Sequence, residues 1–310
     1  MTHNALSGVQ IKAGRLSLEG FSISGLATWL VAPELSACFD MGECPLSAVP
    51  MDHVFLTHAH GDHSRCLMRH HALRKMLGVE REATYYLPEQ LLRPAEEWIR
   101  ASAHFEGARG AIRLPRLEPL RHTPTSAAPT PLAHRKNASV RAFHADHSVP
   151  SLGYTIYDSR MKLRRDFMGL PGAELARLKR EGVQIEEPLH IPHLTFIGDC
   201  TISTLRREEE RWESRVLVVE TTFIDEGEER LARERGHTHI SELGALLRER
   251  RGAVGCEAII LKHFSMKVKP HEAVEAALRH IPHEEHERVY LMLDIPHTPQ
   301  GLSLAQLAWR

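Results

Sequence analysis

Residues 55–64 read FLTHAHGDHS and place four metal-ligand side chains, His58, His60, Asp62 and His63, within six positions. The apolar run Val54-Phe55-Leu56 reads as the end of a buried strand, so the polar residues fall on the loop that leaves it. In extended backbone, side chains two apart share a face, which points His58 and His60 the same way. Gly61 admits the sharp turn that carries Asp62 and His63 round to a second position. Two imidazoles at one point, and a carboxylate with an imidazole at the next, suit a pair of zinc-like ions. The bland alternative is a solvated, histidine-rich loop. Four ligand types at fixed spacing directly after a strand argue against it.

The 310-residue chain is 42% hydrophobic and 25% charged, an ordinary balance for a soluble globular protein with a large core. No run of about 18 apolar residues occurs, which excludes a membrane span of the helical kind. The start, MTHNALSGVQIKAG, lacks a signal-peptide pattern. Cysteines 38, 44, 66, 200 and 256 are odd in number and form no CxxC pair, so the expectation is a reducing, cytoplasmic setting without disulfides. A formal charge of −1 means that any RNA partner must meet a local basic patch. Histidine is the outlier at 22 residues, and most of these must be structural or surface groups.

Working outward, Val9 to Asp40 alternates apolar and polar residues between glycines, which predicts three or four antiparallel strands. The turn that follows holds Asp40 and Glu43. Each suits either a hydrogen-bond partner for a metal histidine or an ordinary turn residue. Downstream, spacing predicts helices over 66–77, 91–104, 172–181, 205–213, 231–234, 240–250 and 270–280. Strands are predicted over 83–87, 140–143, 152–157, 195–199, 216–222, 256–262 and 289–293. The proline-rich stretch 115–131 reads as a surface loop. Strands in both halves with helices between them predict an α/β fold of two sheets sandwiched between helices. Three strands end at further candidate ligands: His147, with His144 as a competitor, then Asp199 beside Cys200, and His263. Taken singly, each is weak.

Residues 160–182, RMKLRRDFMGLPGAELARLKREG, carry seven Lys/Arg against three Asp/Glu. They read either as a solvated helical excursion or as a basic arm that meets phosphates, with Arg164, Arg165, Lys179 and Arg180 as its contacts.

His58-x-His60-x-Asp62-His63 resembles the HxHxDH signature of the metallo-β-lactamase superfamily. That resemblance implies an αβ/βα four-layer sandwich with two mixed sheets, in a single domain over 1–310 with an arm-like insertion at about 160–182. Further segments resemble ribonuclease Z, the endonuclease family that trims transfer-RNA 3′ ends. They are HSVPSLGY at 147–154, GD at 198–199, ETTF at 220–223 beside the family's EATF, GHT at 236–238 beside its GHST, and LKHFS at 261–265 beside its LTHFS. These run in order from about residue 39 to 269.

The ribonuclease Z resemblance implies His58, His60 and His147 on one ion, Asp62, His63 and His263 on the other, and Asp199 bridging. Two Zn2+ are expected, with Mn2+ as the substitute. It further implies hydrolysis of precursor transfer RNA by a metal-activated hydroxide, leaving 3′-OH and 5′-phosphate ends. His237 would be the proton donor, Glu220 its orienting partner, and Asp62 a group that steers the nucleophile. A homodimer is implied, and no membrane partner. His239, two residues from His237, would take its place if the loop register differed.

Two departures stand out. Met266-Lys267-Val268 replaces the family's Arg-Tyr pair after HFS, and the glycine-rich arm motif of many bacterial members is missing. The segment 160–182 is more similar to the arm of short, plant-type members. An alternative keeps the metal site but hydrolyses a small-molecule ester, thioester or cyclic phosphodiester. That alternative would leave His237 away from the metals and segment 160–182 against the core. A non-catalytic scaffold is a third reading, opposed by the complete set of ligand positions.

Overall fold

The alternation that opens the chain is a strand. In the computed structural model, which describes residues 8–207 and 209–309, β1 (Val9–Ala13) buries Val9, Ile11 and Ala13 and exposes Gln10 and Lys12. It begins a sheet that continues in chain order through β2 (Leu16–Ser24), β3 (Ala27–Ala32), β4 (Ala37–Phe39), β5 (His53–Phe55), β6 (Thr84–Pro88) and β7 (Arg116–Leu120). Pairing is antiparallel as far as β4 and parallel beyond it. The second sheet holds β8 (Thr130–Pro131), β9 (Ala138–Ala145), β10 (Ser151–Leu163), β11 (Glu186–Phe196), β12 (Val216–Glu220) and β13 (Ala258–Lys262). The short β14 (Phe264–Ser265) crosses back to pair with β2, and β15 (Val289–Leu291) then closes the second sheet against β13. Both sheets are therefore mixed.

Helices cover the outer faces of both sheets, and one lies instead on a projecting hairpin. They are α1 (Gly61–Ser64), α2 (Leu67–Met76), α3 (Leu92–Phe105), α4 (Gly172–Arg180), α5 (Ser203–Arg206), α6 (Glu229–Glu234), α7 (Ile240–Glu249), α8 (Pro270–His280) and α9 (Leu304–Leu307). Leu67 of α2 and Ile99 of α3 pack on the first sheet with Val54, Tyr85 and Trp29. Leu243 and Leu247 of α7 and Ala273 and Ala277 of α8 pack on the second with Val219 and Leu261. Between the sheets lies a third core that includes Phe39, Phe55, Tyr154, Phe196 and Ile260. Phe39 stacks on Phe55 at 5.2 Å and on Phe196 at 5.0 Å, so one ring ties the two sheets together. Each such ring contributes roughly 1.5–3 kcal/mol of burial. The result is the expected four-layer αβ/βα sandwich.

The parallel halves of both sheets point their carboxyl ends to one edge, where ligands gather in α/β folds. Two cross-sheet bonds lock that edge: the Tyr154 hydroxyl donates to Leu56 O at 2.6 Å, and Leu152 N donates to Thr57 O at 2.9 Å. None of the described helices is long and apolar enough to cross a membrane.

Three elements differ from the sequence expectation. Within 115–131, Arg116–Leu120 is an edge strand parallel to β6, and Thr130–Pro131 pairs with β9. An edge strand bonds on one side only, so Pro119 and Pro131 are tolerated there. The helix expected over 205–213 is instead the short α5 and a 3-10 turn at Glu209–Glu213 that carries Trp212 into the outer core. The strand expected to stop at Tyr157 runs on to Leu163, paired with β11 out to Glu186. Its pattern fades because Arg160, Met161 and Lys162 are exposed. The arm is thus a hairpin that grows out of two core strands and ends in α4.

Gly61 occupies the first turn of α1 with an ordinary φ, and a Cβ there would meet nothing within 4 Å. The turn after His60 does not need glycine. Gly42 is the sterically demanded position: a Cβ would lie 1.8 Å from Asp62 O and 2.7 Å from Thr28 N, backbone atoms that cannot swing aside. Gly42→Ala is expected to lower stability by about 3 kcal/mol in urea denaturation, whereas Gly61→Ala leaves the midpoint unchanged or slightly raised.

Candidate metal centre

The seven expected ligands meet at the carboxyl edge. His58, His60 and His147 form one group of donor atoms within 4.8 Å of one another, and Asp62, His63 and His263 form another. Asp199 lies between, grouped with His58 and His63 on one side and with His237 and His263 on the other. Asp199 Oδ2 is 3.1 Å from His263 Nε2, 3.4 Å from His63 Nε2 and 3.9 Å from His58 Nε2. Asp62 Oδ2 is 3.6 Å from His263 Nε2 and accepts a bond from Gly25 N at 2.7 Å. His58, His63, Asp199 and His263 are buried, while His60 is exposed and Asp62, His147 and His237 are partly so. The centre is therefore anchored from below and open above.

Hydrogen bonds fix the ring tautomers. Asp40, fully buried, accepts from His63 Nδ1 at 2.8 Å and from the Thr57 hydroxyl at 2.9 Å. Because Thr57 gives its hydrogen to Asp40, its oxygen accepts from His58 Nδ1 at 3.0 Å. A matching relay lies opposite. The Thr222 hydroxyl donates to Glu220 Oε2 at 2.6 Å and accepts from His263 Nδ1 at 2.9 Å. His147 Nδ1 donates to Gly236 O at 2.8 Å. Each of these rings thus has its outer nitrogen occupied by protein, which aims Nε2 inward.

Those inner nitrogens face one another. His63 Nε2 and His263 Nε2 are 3.2 Å apart, and His58 Nε2 is 3.1 Å from His60 Nδ1. Ring nitrogens this close must share a proton or a cation, so the donor set fits divalent metal ions. The appetite for positive charge shows in His63. Burial lowers its pKa, but Asp199 and Asp40 outweigh burial and hold it up at about 10. Burial likewise pushes the Asp199 carboxyl up, yet His263, His63 and Lys262 together hold it well below the usual carboxylate range.

His237 stands at the lip, its ring 5.2 Å from that of His147 and 5.5 Å from that of His263. Its Nδ1 donates to Glu220 Oε1 at 2.9 Å. Burial would lower the His237 pKa, but the Glu220 carboxylate reverses this and raises it. Glu220 itself is buried and held by Cys200 N, Thr222 N and Thr238 N.

Other expectations sort cleanly. Asp40 is a partner of the metal histidines, whereas Glu43 accepts from Cys44 N and takes no part. His144 is exposed on β9, bonded to Arg207 rather than turned to the cluster. His239 caps α7: Nδ1 accepts from Ser241 N and its hydroxyl, and Nε2 donates to Asp225 O, so neither nitrogen is available. Cys200 is a buried thiol whose pKa burial pushes up, outside every ligand group. Lys267 lines a cleft with His237, Arg235 and Ser265. Sequence reasoning missed Thr57 and Thr222. Their only signal is a hydroxyl beside a candidate ligand or acid at a strand end. Lys262 was also missed; its Nζ lies 3.4 Å from Asp199 Oδ1.

Arm residues stay clear of the core. Arg164 and Lys179 make exposed ion pairs with Asp166 and Glu186, Arg180 Nε bonds Ala176 O, and α4 has no buried residue.

Fold and site together define a metal-dependent hydrolase of the metallo-β-lactamase fold. Solved structures agree on the fold: the metallo-β-lactamase fold protein YhfI of Bacillus subtilis superposes with a TM-score of 0.53 at 13% identity over 87% of this chain and 93% of its own. Human tRNase Z, short form, gives a TM-score of 0.50 at 16% identity over 93% of this chain and 95% of its own. No family model matches the sequence. Curated relatives narrow the class. tRNase Z TRZ1 of Arabidopsis thaliana is 31% identical over 278 residues, 89% of this chain and 94% of that protein. The chloroplastic tRNase Z TRZ2 of the same plant is 30% identical over 88% of this chain and 73% of its own length. The chain belongs to the ribonuclease Z family of endoribonucleases.

Asp40→Asn removes the charge that orients His63 and, through Thr57, His58. Competition with a chromophoric chelator is expected to show metal affinity weakened about 10–100-fold. Unchanged affinity would return Asp40 to the rank of a turn residue.

Proposed function

We propose that this chain removes 3′ trailers from precursor transfer RNA as a two-metal phosphodiesterase. It would fold as one domain with an RNA-binding arm, act as a cytoplasmic homodimer, and use zinc in preference to manganese. The observation that carries this reading is His237, held at the lip of the seven-ligand cluster by a buried carboxylate. A small-molecule hydrolase of the same fold needs neither that pair nor an exposed basic arm.

Bound ions would polarise the scissile phosphate, neutralise its developing charge and make a water nucleophilic at neutral pH. His58, His60 and His147 would hold one, Asp62, His63 and His263 the other, with Asp199 shared. The chain's own groups do the rest. His237 Nδ1 is tied to Glu220, which leaves Nε2 as the nitrogen that passes a proton to the departing 3′ oxygen. Glu220 has no exposed surface, so its charge acts on the imidazolium undiluted by water. Asp62, partly exposed and steadied by Gly25 N, orients the attacking water. Arg164, Arg165, Lys179 and Arg180, on an arm clear of the core, meet phosphates distant from the cut.

The direct test is cleavage of a 3′-labelled precursor transfer RNA with zinc or manganese. A single cut that leaves a 3′-hydroxyl is expected; no cut by fully metallated protein would sink the reading. His237→Ala should lower that rate about 10²–10⁴-fold with metal content unchanged. The same variant should hydrolyse bis(p-nitrophenyl) phosphate at nearly the normal rate, because that leaving group needs no proton. Changing the four arm cations to alanine should raise KM for precursor transfer RNA and flatten its salt dependence, while leaving the p-nitrophenyl ester untouched.

A further inference from the structure

One buried cation has no part in the chemistry above. Lys262 closes β13 with a side chain that is 0% exposed. Strand register sets it opposite Glu220 on β12, but both Glu220 oxygens are already committed to Cys200, Thr222, His237 and Thr238. Lys262 reaches Asp199 instead. Its Nζ lies 3.4 Å from Oδ1 and 5.1 Å from the centre of the Phe196 ring, which walls the slot from the inter-sheet core. The other oxygen of Asp199, Oδ2, is the one that faces His63, His263 and His58. The carboxylate is therefore divided, one oxygen on an ammonium and one on the ligand cluster.

A carboxylate free to rotate can give one oxygen to each of two ions. One tied at Oδ1 has a single oxygen left to share. We propose that Lys262 is a positioning residue that holds Asp199 so that Oδ2 alone faces both metal positions. The inference rests on the two-metal reading of the site. In the LTHFS segment that residues 261–265 resemble, the matching residue is threonine, a side chain that carries no charge to Oδ1. Burial makes the tie between Lys262 and Asp199 strict, because a buried ammonium is costly without its carboxylate and the pair holds together before any metal arrives.

A one-atom bridge couples two Mn2+ ions more strongly than an O–C–O bridge, which gives a readout independent of activity. The full chain, with Lys262→Met and Lys262→Thr variants, would be loaded with Mn2+, its bound metal counted and its electron paramagnetic resonance followed with temperature. Wild type should hold two coupled ions. Lys262→Met, of similar length but uncharged, should keep its fold by circular dichroism and show weaker coupling or loss of one ion. Its kcat should drop about tenfold with KM unchanged. Lys262→Thr serves if methionine disturbs the fold. Fewer than two ions in wild type would overturn the two-metal reading and this inference with it. Two ions with the same coupling and kcat in wild type and variants would overturn the role of Lys262 alone.

Discussion

Imidazole nitrogens held face to face, at 3.2 Å between His63 and His263 and 3.1 Å between His58 and His60, are the constraint on which this molecule turns. Such an arrangement needs a proton or a cation between the rings. It persists because His58, His63, His147 and His263 are held from behind, and because acidic groups around it favour positive charge at its centre. The rest of the sandwich supplies the backs of those rings.

Two relays do most of that holding. Asp40 and Thr57 fix His63 and His58 from the first sheet; Glu220 and Thr222 fix His263 and His237 from the second. Each pairs a buried carboxylate with a threonine that donates to the acid and accepts from a ring. A buried carboxylate is tolerable only when its oxygens are bonded; His63 bonds Asp40 directly, whereas Glu220 is bonded by His237 and reaches His263 through Thr222. Removing the carboxylate would therefore cost both the buried network and the aim of the ligands. Glu220 also bonds His237, the proposed proton donor, so one side chain reaches both His263 and His237.

The arm obeys different physics. Beyond Tyr157 the hairpin of β10 and β11 leaves the core, and the side chains of these two strands are half-buried or exposed, none fully buried before Leu194. Ladder hydrogen bonds carry it outward without a hydrophobic core, which leaves its cations in water and in ion pairs that salt screens.

Much of the site was legible in the residues. FLTHAHGDHS announces a strand end and four ligands, because side-chain alternation and loop chemistry are local properties of the chain. The segments at 147, 199, 220, 237 and 263 were legible as motifs, in order, although nothing local says that they meet. What only the tertiary structure decided is set by distance across the fold. It chose Asp40 over Glu43, and His237 over His239, because hydrogen-bond partners such as Thr57 and Glu220 are brought in by sheet register rather than by neighbouring positions. It moved the demand for glycine from position 61 to position 42, where another segment's backbone leaves no room for a Cβ. It also set Lys262 against Asp199, 63 residues apart. Sequence determines which groups a strand end can offer. Which of them share a point in space, and so which charges must balance, is fixed only when two sheets close on one core.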